Sequence, residues 1–255
     1  MSAIQESVAG PSAPRHLNVT RLLYKPYAVL VFTPFLAVST LFWGTMAWAI
    51  ARFHPHLAFH CGTAWAWCLC RANFTPVTVE GREHVAPDQS YIIMANHQSH
   101  FDALAFYGHW GRQFRWVMKQ ELRKVPGLGP ACEAIGHIYI DRSDHEKAIA
   151  SLKAASDRLE PGVSVLFFPE GSRTRDGQLG EFKKGGFVMA QQTGLPILPV
   201  TITGSRQILP SKSLTLLPGR IRITVHAPIE TSSYGPDDRE RLMQDVRATI
   251  ASSLE

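Results

Sequence analysis

The run Asn96-His97-Gln98-Ser99-His100-Phe101-Asp102 sets a histidine five residues ahead of an aspartate, directly after the apolar stretch Tyr91-Ile92-Ile93-Met94. An imidazole held by a carboxylate is a general base. The carboxylate fixes the ring tautomer and leaves the other nitrogen free to take a proton. Five positions along one helix amount to about 500°, turning the two side chains roughly 140° apart. The pair therefore meets only if His97 sits in a turn before a helix and Asp102 in its first turn. Ser99 suits the N-cap of that helix, which the apolar run Phe101, Ala103, Leu104, Ala105 and Phe106 would continue. Taken alone, the spacing also fits a capping aspartate beside an incidental histidine.

Three downstream clusters supply candidate partners. Gly136-His137-Ile138-Tyr139-Ile140-Asp141-Arg142 reads as a strand that delivers Arg142 at its exit. A guanidinium there can grip a phosphate through two parallel N–H donors, although a surface pair with Asp141 is the other reading. Phe167-Phe168-Pro169-Glu170-Gly171-Ser172-Arg173-Thr174-Arg175 ends a buried strand in Pro-Glu-Gly. Gly171 lets the backbone approach a ligand, Ser172 adds a hydroxyl and Arg173 a positive charge. Glu170 is placed to orient a ligand hydroxyl or Arg142. The basic, flexible turn Phe182-Lys183-Lys184-Gly185-Gly186 is consistent with phosphate contact. Leu195-Pro196-Ile197-Leu198-Pro199-Val200 is expected to shape a pocket wall.

Positioning these groups requires an alternating fold. Strand candidates rich in β-branched and aromatic residues lie at 77–80, 91–94, 115–118, 138–140, 164–168, 197–203 and 221–226. Helical spacing runs over 143–159, ending before Pro161-Gly162, and over 236–253, where Leu242, Val246 and Ile250 recur and Asp237 and Asp238 favour the N-terminal end. Strands alternating with helices imply an α/β fold with a mixed, largely parallel central sheet flanked by helices. Ligands of such sheets sit beyond the carboxyl ends of the strands, where His97, Arg142 and Glu170 all fall.

The chain has 255 residues, 45% hydrophobic and 18% charged, with a net charge of +5. That length accommodates one sizeable α/β domain with a buried core. The positive balance suits an acidic partner, and without a basic stripe interleaved with aromatics it points to a membrane surface rather than nucleic acid. Cys61, Cys68, Cys70 and Cys132 show no C-x-x-C spacing and read as reduced, small hydrophobes. Residues 27–51 carry no charge and, if helical, would span about 37 Å, enough to cross a bilayer. They exceed a signal-peptide core of about 7–15 residues. A second apolar stretch, 57–69, carries Trp65 and Trp67, and the Pro55 break between the two permits a hairpin. A single span would push the domain outside. A hairpin, the preferred reading, or a helix pair lying in one leaflet keeps both ends inside. The expected organisation is a disordered tail at 1–20, a membrane-associated helical hairpin at 21–72 and a catalytic domain at 73–255.

In this order the four clusters are far more specific than any one of them. Asn96-His97-x4-Asp102, Gly136…Asp141-Arg142, Phe168-Pro169-Glu170-Gly171-Ser172-Arg173 and Leu195-Pro196-Ile197 together resemble the glycerolipid acyltransferase family, across roughly residues 70–230. The resemblance implies a glycerol-3-phosphate acyltransferase-like fold, with His97 as general base and Asp102 as its partner. It places Arg142, Glu170, Gly171, Ser172 and Arg173 at the acceptor's glycerol phosphate, with Lys119 nearby. The family more often has Thr at the position of Ser172, a change that keeps the hydroxyl. It also implies a lysophospholipid acceptor, acyl-CoA or acyl carrier protein as co-substrate, no cofactor, and a place at the inner (cytoplasmic) membrane facing the cytoplasm.

Rival readings remain at this stage. A serine hydrolase would want a G-x-S-x-G elbow, which the sequence lacks. A metal site on His97, His100 and Asp102 would need further ligands, and no other cluster supplies them. A non-catalytic membrane-binding protein would not need His97 and Asp102 in register. Another lysolipid, such as a lyso-ornithine lipid, is the alternative acceptor.

Overall fold

The computed structural model describes residues 15–174, 176–235 and 237–254. Helix α1 (Arg15–Tyr27) continues through a π-helical turn at Ala28–Phe32 into α2 (Thr33–Ala51). Pro34 removes one ladder donor at that turn, and the Thr33 hydroxyl donates to the Ala28 carbonyl at 2.8 Å. After Arg52-Phe53-His54 the chain reverses into α3 (Pro55–Ala72), with proline at its first turn, where a missing N–H costs nothing. The expected hairpin therefore forms. Its tail boundary does not hold: residues 15–20 already belong to α1, while 1–14 lie outside the described residues.

The hairpin is fused to the rest of the molecule. Helix α4 (His100–His109) packs against α3, and α5 (Leu128–Ile135) against α2. Gly44 of α2 touches the chain just before α5 so closely that a Cβ would lie 2.4 Å from the Gly127 carbonyl oxygen. Phe32 stacks on Phe101 of α4 at 6.4 Å between centroids, and the Tyr27 hydroxyl donates to the Ala72 carbonyl at 2.7 Å. The opposite surface of α1 and α2 exposes Leu22, Leu23, Leu30, Val38 and Phe42.

The sheet contains β1 (Val77–Glu80), β2 (Ile92–Ala95), β3 (Phe114–Lys119), β4 (Ile138–Ile140), β5 (Ser164–Phe167), β6 (Ile197–Thr203) and β7 (Ile221–Val225), in the order β1-β7-β6-β2-β5-β3-β4. Every neighbouring pair is parallel except β6–β7. The mixed, largely parallel sheet is as expected, and the seven expected strand ends shift by one residue at most. Central strands read as unbroken apolar runs because both faces are covered. Ile93, Ala95 and Leu166 face the layer of α2 to α5. Ile92, Met94, Val165 and Phe167 face α6 (His145–Ser156), α7 (Gly185–Thr193) and α9 (Arg239–Ala251). A one-turn helix, α8 (Ser205–Ile208), follows β6. Helix α9 starts later than the spacing predicts, after Asp238 at its N-cap, and Pro236 lies outside the described residues.

Sequence spacing does not reveal α5 or α7. Helix α7 opens on Gly185-Gly186, poor helix formers that are retained for packing: a Cβ on Gly186 would sit 3.1 Å from Met94 Cε and Phe167 Cγ. Leu195 to Val200, read as an apolar strand entry, leads into β6, where residues 197–200 are buried beside β2.

His137, just before β4, is a buried part of this frame. Its Nδ1 accepts from the Trp116 amide at 3.0 Å, so Nε2 carries the proton and donates to the Tyr107 hydroxyl at 3.0 Å. Burial, reinforced by Arg115, pulls its pKa down to about 3. An unfolded histidine titrates near pH 6.5, so the unfolded chain binds the extra proton first as pH falls. Stability contributed by this neutral ring is present above about pH 6.5 and is lost toward pH 3. His137→Gln is expected to be less stable at pH 7.5 but to lose less melting temperature between pH 7.5 and 5, measured by calorimetry.

Candidate active site

Parallel pairing sets the site's frame. Met94 of β2 is in register with Phe167 of β5, and three residues further along each chain come His97 and Glu170. Beyond the last ladder pairs, the two strand exits are joined by side chains. Asn96, fully buried, imitates a strand residue toward β6: its Nδ2 donates to the Ile202 carbonyl at 2.8 Å and its Oδ1 accepts from the Ile202 amide at 2.6 Å.

The next residues form the turn the spacing demands. Ser99 has extended backbone angles, its hydroxyl accepts from the Phe101 amide at 3.1 Å, and Asp102 completes a capping box with it. Asp102 is fully buried, and its Oδ2 accepts three hydrogen bonds: from Gln98 N–H at 2.6 Å, Ser99 N–H at 2.8 Å and His97 Nδ1 at 2.9 Å. Asp102 thus caps the helix and holds the His97 ring at the same time. An ionised carboxylate only accepts, so Nδ1 of His97 carries the proton and Nε2 presents a lone pair. The imidazole lies flat on Phe168, 4.1 Å between centroids at 15°, with its side chain 16% exposed. No protein group among the described residues contacts Nε2. A reacting hydroxyl can reach it.

The 170–180 loop folds back over this turn. Thr174 N–H donates to the His97 carbonyl at 3.0 Å, and Gln98 Nε2 to the Gly177 carbonyl at 2.9 Å. Gly171 adopts φ +69°, and its carbonyl accepts from the Arg142 guanidinium, which joins the exits of β4 and β5. Glu170 is buried, and its two oxygens accept from the His97 and Gly180 amides, each at 2.7 Å. Burial raises its pKa above the usual carboxylate range against the pull of those two amides. Each Glu170 oxygen is thus engaged by a backbone amide inside the fold.

Cations around the mouth divide into two kinds. Lys119 pairs with Glu121 at 2.7 Å, Lys183 with Glu181 at 3.8 Å and Lys184 with Glu240 at 3.8 Å. Lys119 and the Lys183-Lys184 turn are therefore already neutralised at the surface. Arg142 and Arg173 have no carboxylate partner among the described residues, and Ser172 is exposed between the Gly171 turn and Arg173. Burial lowers the pKa of Arg142, partly offset by the nearby Glu121 charge, yet a guanidinium stays charged at neutral pH. Arg175 lies outside the described residues.

A small, partly open apolar cavity of about 40 Å³ lies among α2, α3, α4, α5 and β3, lined by Trp43, Gly44, Trp65, Tyr107, Trp116 and Ile135 among others. Trp116 meets Phe168 edge to face at 6.3 Å, so the cavity wall reaches the ring on which His97 rests. Sequence reading missed Phe168 and Trp116 as site residues, although the aromatic strand ends that carry them were its signal.

An acyltransferase family model matches residues 76–203, which contain every residue of this site. The chain belongs to the acyltransferase family. Among relatives of this acyltransferase, a 1-acyl-sn-glycerol-3-phosphate acyltransferase of Chlamydomonas reinhardtii is 33% identical over 239 residues, covering 93% of this chain and 70% of that protein. One from Pseudomonas aeruginosa is 30% identical, covering 88% of this chain and 89% of that one. The chain spans 63% of a 31% identical chloroplast relative from Arabidopsis thaliana. The crystal structure of the 1-acyl-sn-glycerophosphate acyltransferase of Thermotoga maritima superimposes with a TM-score of 0.78 at 25% identity, covering 93% of this chain and 96% of that one.

Asp102→Asn is expected to keep the fold close to native but lower acyl transfer by about 10²–10⁴-fold. An amide keeps the shape but removes the negative charge that stabilises a protonated imidazole. Thiol release from an acyl thioester, read beside the melting temperature, checks this.

Proposed function

We propose that this acyltransferase moves an acyl group from an acyl-CoA or acyl carrier protein thioester to the free hydroxyl of 1-acylglycerol 3-phosphate, giving phosphatidic acid. The observation that carries the reading is the 2.9 Å bond between His97 Nδ1 and buried Asp102, which leaves Nε2 unprotonated and accessible. Nε2 takes the hydroxyl proton as that oxygen attacks the thioester carbonyl. The tetrahedral adduct then expels thiolate, which recovers a proton from the imidazolium. No covalent enzyme intermediate and no cofactor is needed. A positioned base contributes about 10²–10⁴-fold, and holding both substrates together contributes more.

Acceptor recognition falls to Arg142 and Arg173, the cations at the mouth without carboxylate partners, with Ser172 and the Gly171 turn beside them. A phosphate monoester suits two guanidiniums that have no salt-bridge partner among the described residues better than the zwitterionic head of a lyso-ornithine lipid does. The cavity is lined by apolar groups, and the Trp116–Phe168 contact brings its wall to the ring on which His97 rests. For a non-catalytic lipid-binding protein, burying a carboxylate to orient an exposed imidazole would serve no purpose.

Both substrates and product carry long chains, and the apolar outer surface of α1 and α2 supports membrane association, at the inner membrane with the domain facing the cytoplasm. One helix among the described residues, Val19–Ala51, is long and apolar enough to cross a bilayer. Helix α3 is not available as a second span, because its Ala58, Phe59, Ala66 and Leu69 are buried in the core that α4 shares. The helix pair is therefore read as lying in one leaflet, in place of the preferred spanning hairpin.

Purified protein in lipid micelles, given palmitoyl-CoA or palmitoyl carrier protein and a lysolipid panel, is expected to release thiol when lysophosphatidic acid is present. His97→Ala should abolish this release. Arg142→Ala and Arg173→Ala should each raise the KM for lysophosphatidic acid by about 10–100-fold, the worth of a charged hydrogen bond of roughly 1.5–3 kcal/mol. Release that persists without His97 would refute the mechanism. A preference for a lysolipid lacking phosphate would change the acceptor.

A further inference from the structure

Three consecutive backbone amides, those of His97, Gln98 and Ser99, point into two buried carboxylates. Asp102 takes the second and third, and Glu170 takes the first. The remaining Glu170 oxygen holds the Gly180 amide at the far end of the loop that carries Arg173. Gly180 is crowded against this carboxylate: a Cβ there would lie 3.0 Å from Glu170 Oε2 and 3.4 Å from Thr174 Cγ2. Both Glu170 oxygens are thus committed to backbone donors, one in the catalytic turn and one in the loop.

We infer that Glu170 is a positioning residue for the base, acting through the His97 amide, and that it ties the acceptor loop to the catalytic turn as one unit. This rests on the acyl-transfer reading above and assigns Glu170 a role distinct from contact with the acceptor. The His97 ring has two supports, Asp102 at Nδ1 and the face of Phe168. Both supports help only if the backbone at residue 97 holds its place, and Glu170 pins it at the amide while Thr174 N–H bonds its carbonyl. Removing it leaves two buried N–H groups unpaired and lets His97 shift relative to the arginines that hold the acceptor. Displacements of about 1 Å in such an arrangement cost on the order of 100-fold in rate.

Glu170→Gln keeps the shape but offers one acceptor where two are used, so its NH₂ end opposes an amide. The expected result is a kcat about 10–100-fold lower with the KM for lysophosphatidic acid within about 3-fold of wild type. Hydrolysis of palmitoyl-CoA by water, followed without any acceptor, should fall by a similar factor, because water needs the same base. Amide hydrogen exchange reads the arrangement without any reaction. Protection at His97 and Gly180 should drop in the variant while Ile92 to Met94 stay protected. Gly180→Ala, which presses on the same carboxylate from the loop side, should repeat the pattern at smaller size and carries the test if Glu170→Gln does not fold. A raised acceptor KM with unchanged kcat and unchanged hydrolysis would make Glu170 an acceptor ligand and overturn the inference. Unchanged exchange at His97 and Gly180 would overturn it as well. If the wild type releases no thiol from any donor, the acyl-transfer reading fails on its own, and the exchange result alone decides the tie.

Discussion

Asp102 is buried with no donor at Oδ1 among the described residues, so its hydrogen bonding rests on Oδ2, which finds three donors within its own turn of chain. Two of them are backbone amides that the start of a helix would otherwise leave unsatisfied. The third is the imidazole of His97. One interaction therefore starts α4, closes the turn and sets the tautomer of His97. The base owes its orientation to helix capping, and for this reason the two readings open to the sequence motif turn out to be the same structure.

That turn would be useless on a mobile strand end. Beyond the last ladder pairs of β2, Asn96 extends the pairing toward β6 through its side-chain amide, and Glu170 extends it toward β5 through its carboxylate. Buried side chains stand in for backbone where the parallel ladder stops, so a strand exit that would normally fray is held on both flanks. Phe168, the residue that follows β5, then supplies a flat surface for the imidazole. Sheet register, polar satisfaction and aromatic packing all converge on the position of one ring.

The N-terminal helices extend the same logic toward the lipid. Their inner face is built into the molecule through Phe32 on Phe101, Tyr27 on Ala72 and the close approach of Gly44 to Gly127. Their outer face remains apolar and uncovered. The exposed apolar surface of the N-terminal helices and the start of α4 are thus separated by a single layer of packing. Between them lies the aromatic-lined cavity, with Trp116 reaching from it to Phe168. Charge is distributed with similar economy, the lysines near the mouth being matched to nearby carboxylates while Arg142 and Arg173 remain free of them.

The strands, their approximate ends, the mixed parallel sheet, the hairpin and the His97–Asp102 pair were all legible in the sequence. Each depends on local chemistry: β-branched runs, a capping serine, proline after a turn, and spacing that permits only one mutual arrangement. Arg142 and Arg173 were legible as strand-exit cations for the same reason. Other features required the tertiary structure because they depend on what arrives from distant chain. Glu170 reads as a ligand group until β5 is laid beside β2, and then its two oxygens are consumed by amides 73 and 10 residues away. Lys119 reads as a phosphate contact until Glu121 is seen against it. Helices α5 and α7 are short and glycine-bearing, so packing against α2 and the sheet, rather than propensity, decides that they form. The cavity is a volume between five elements, and no local pattern encodes a volume.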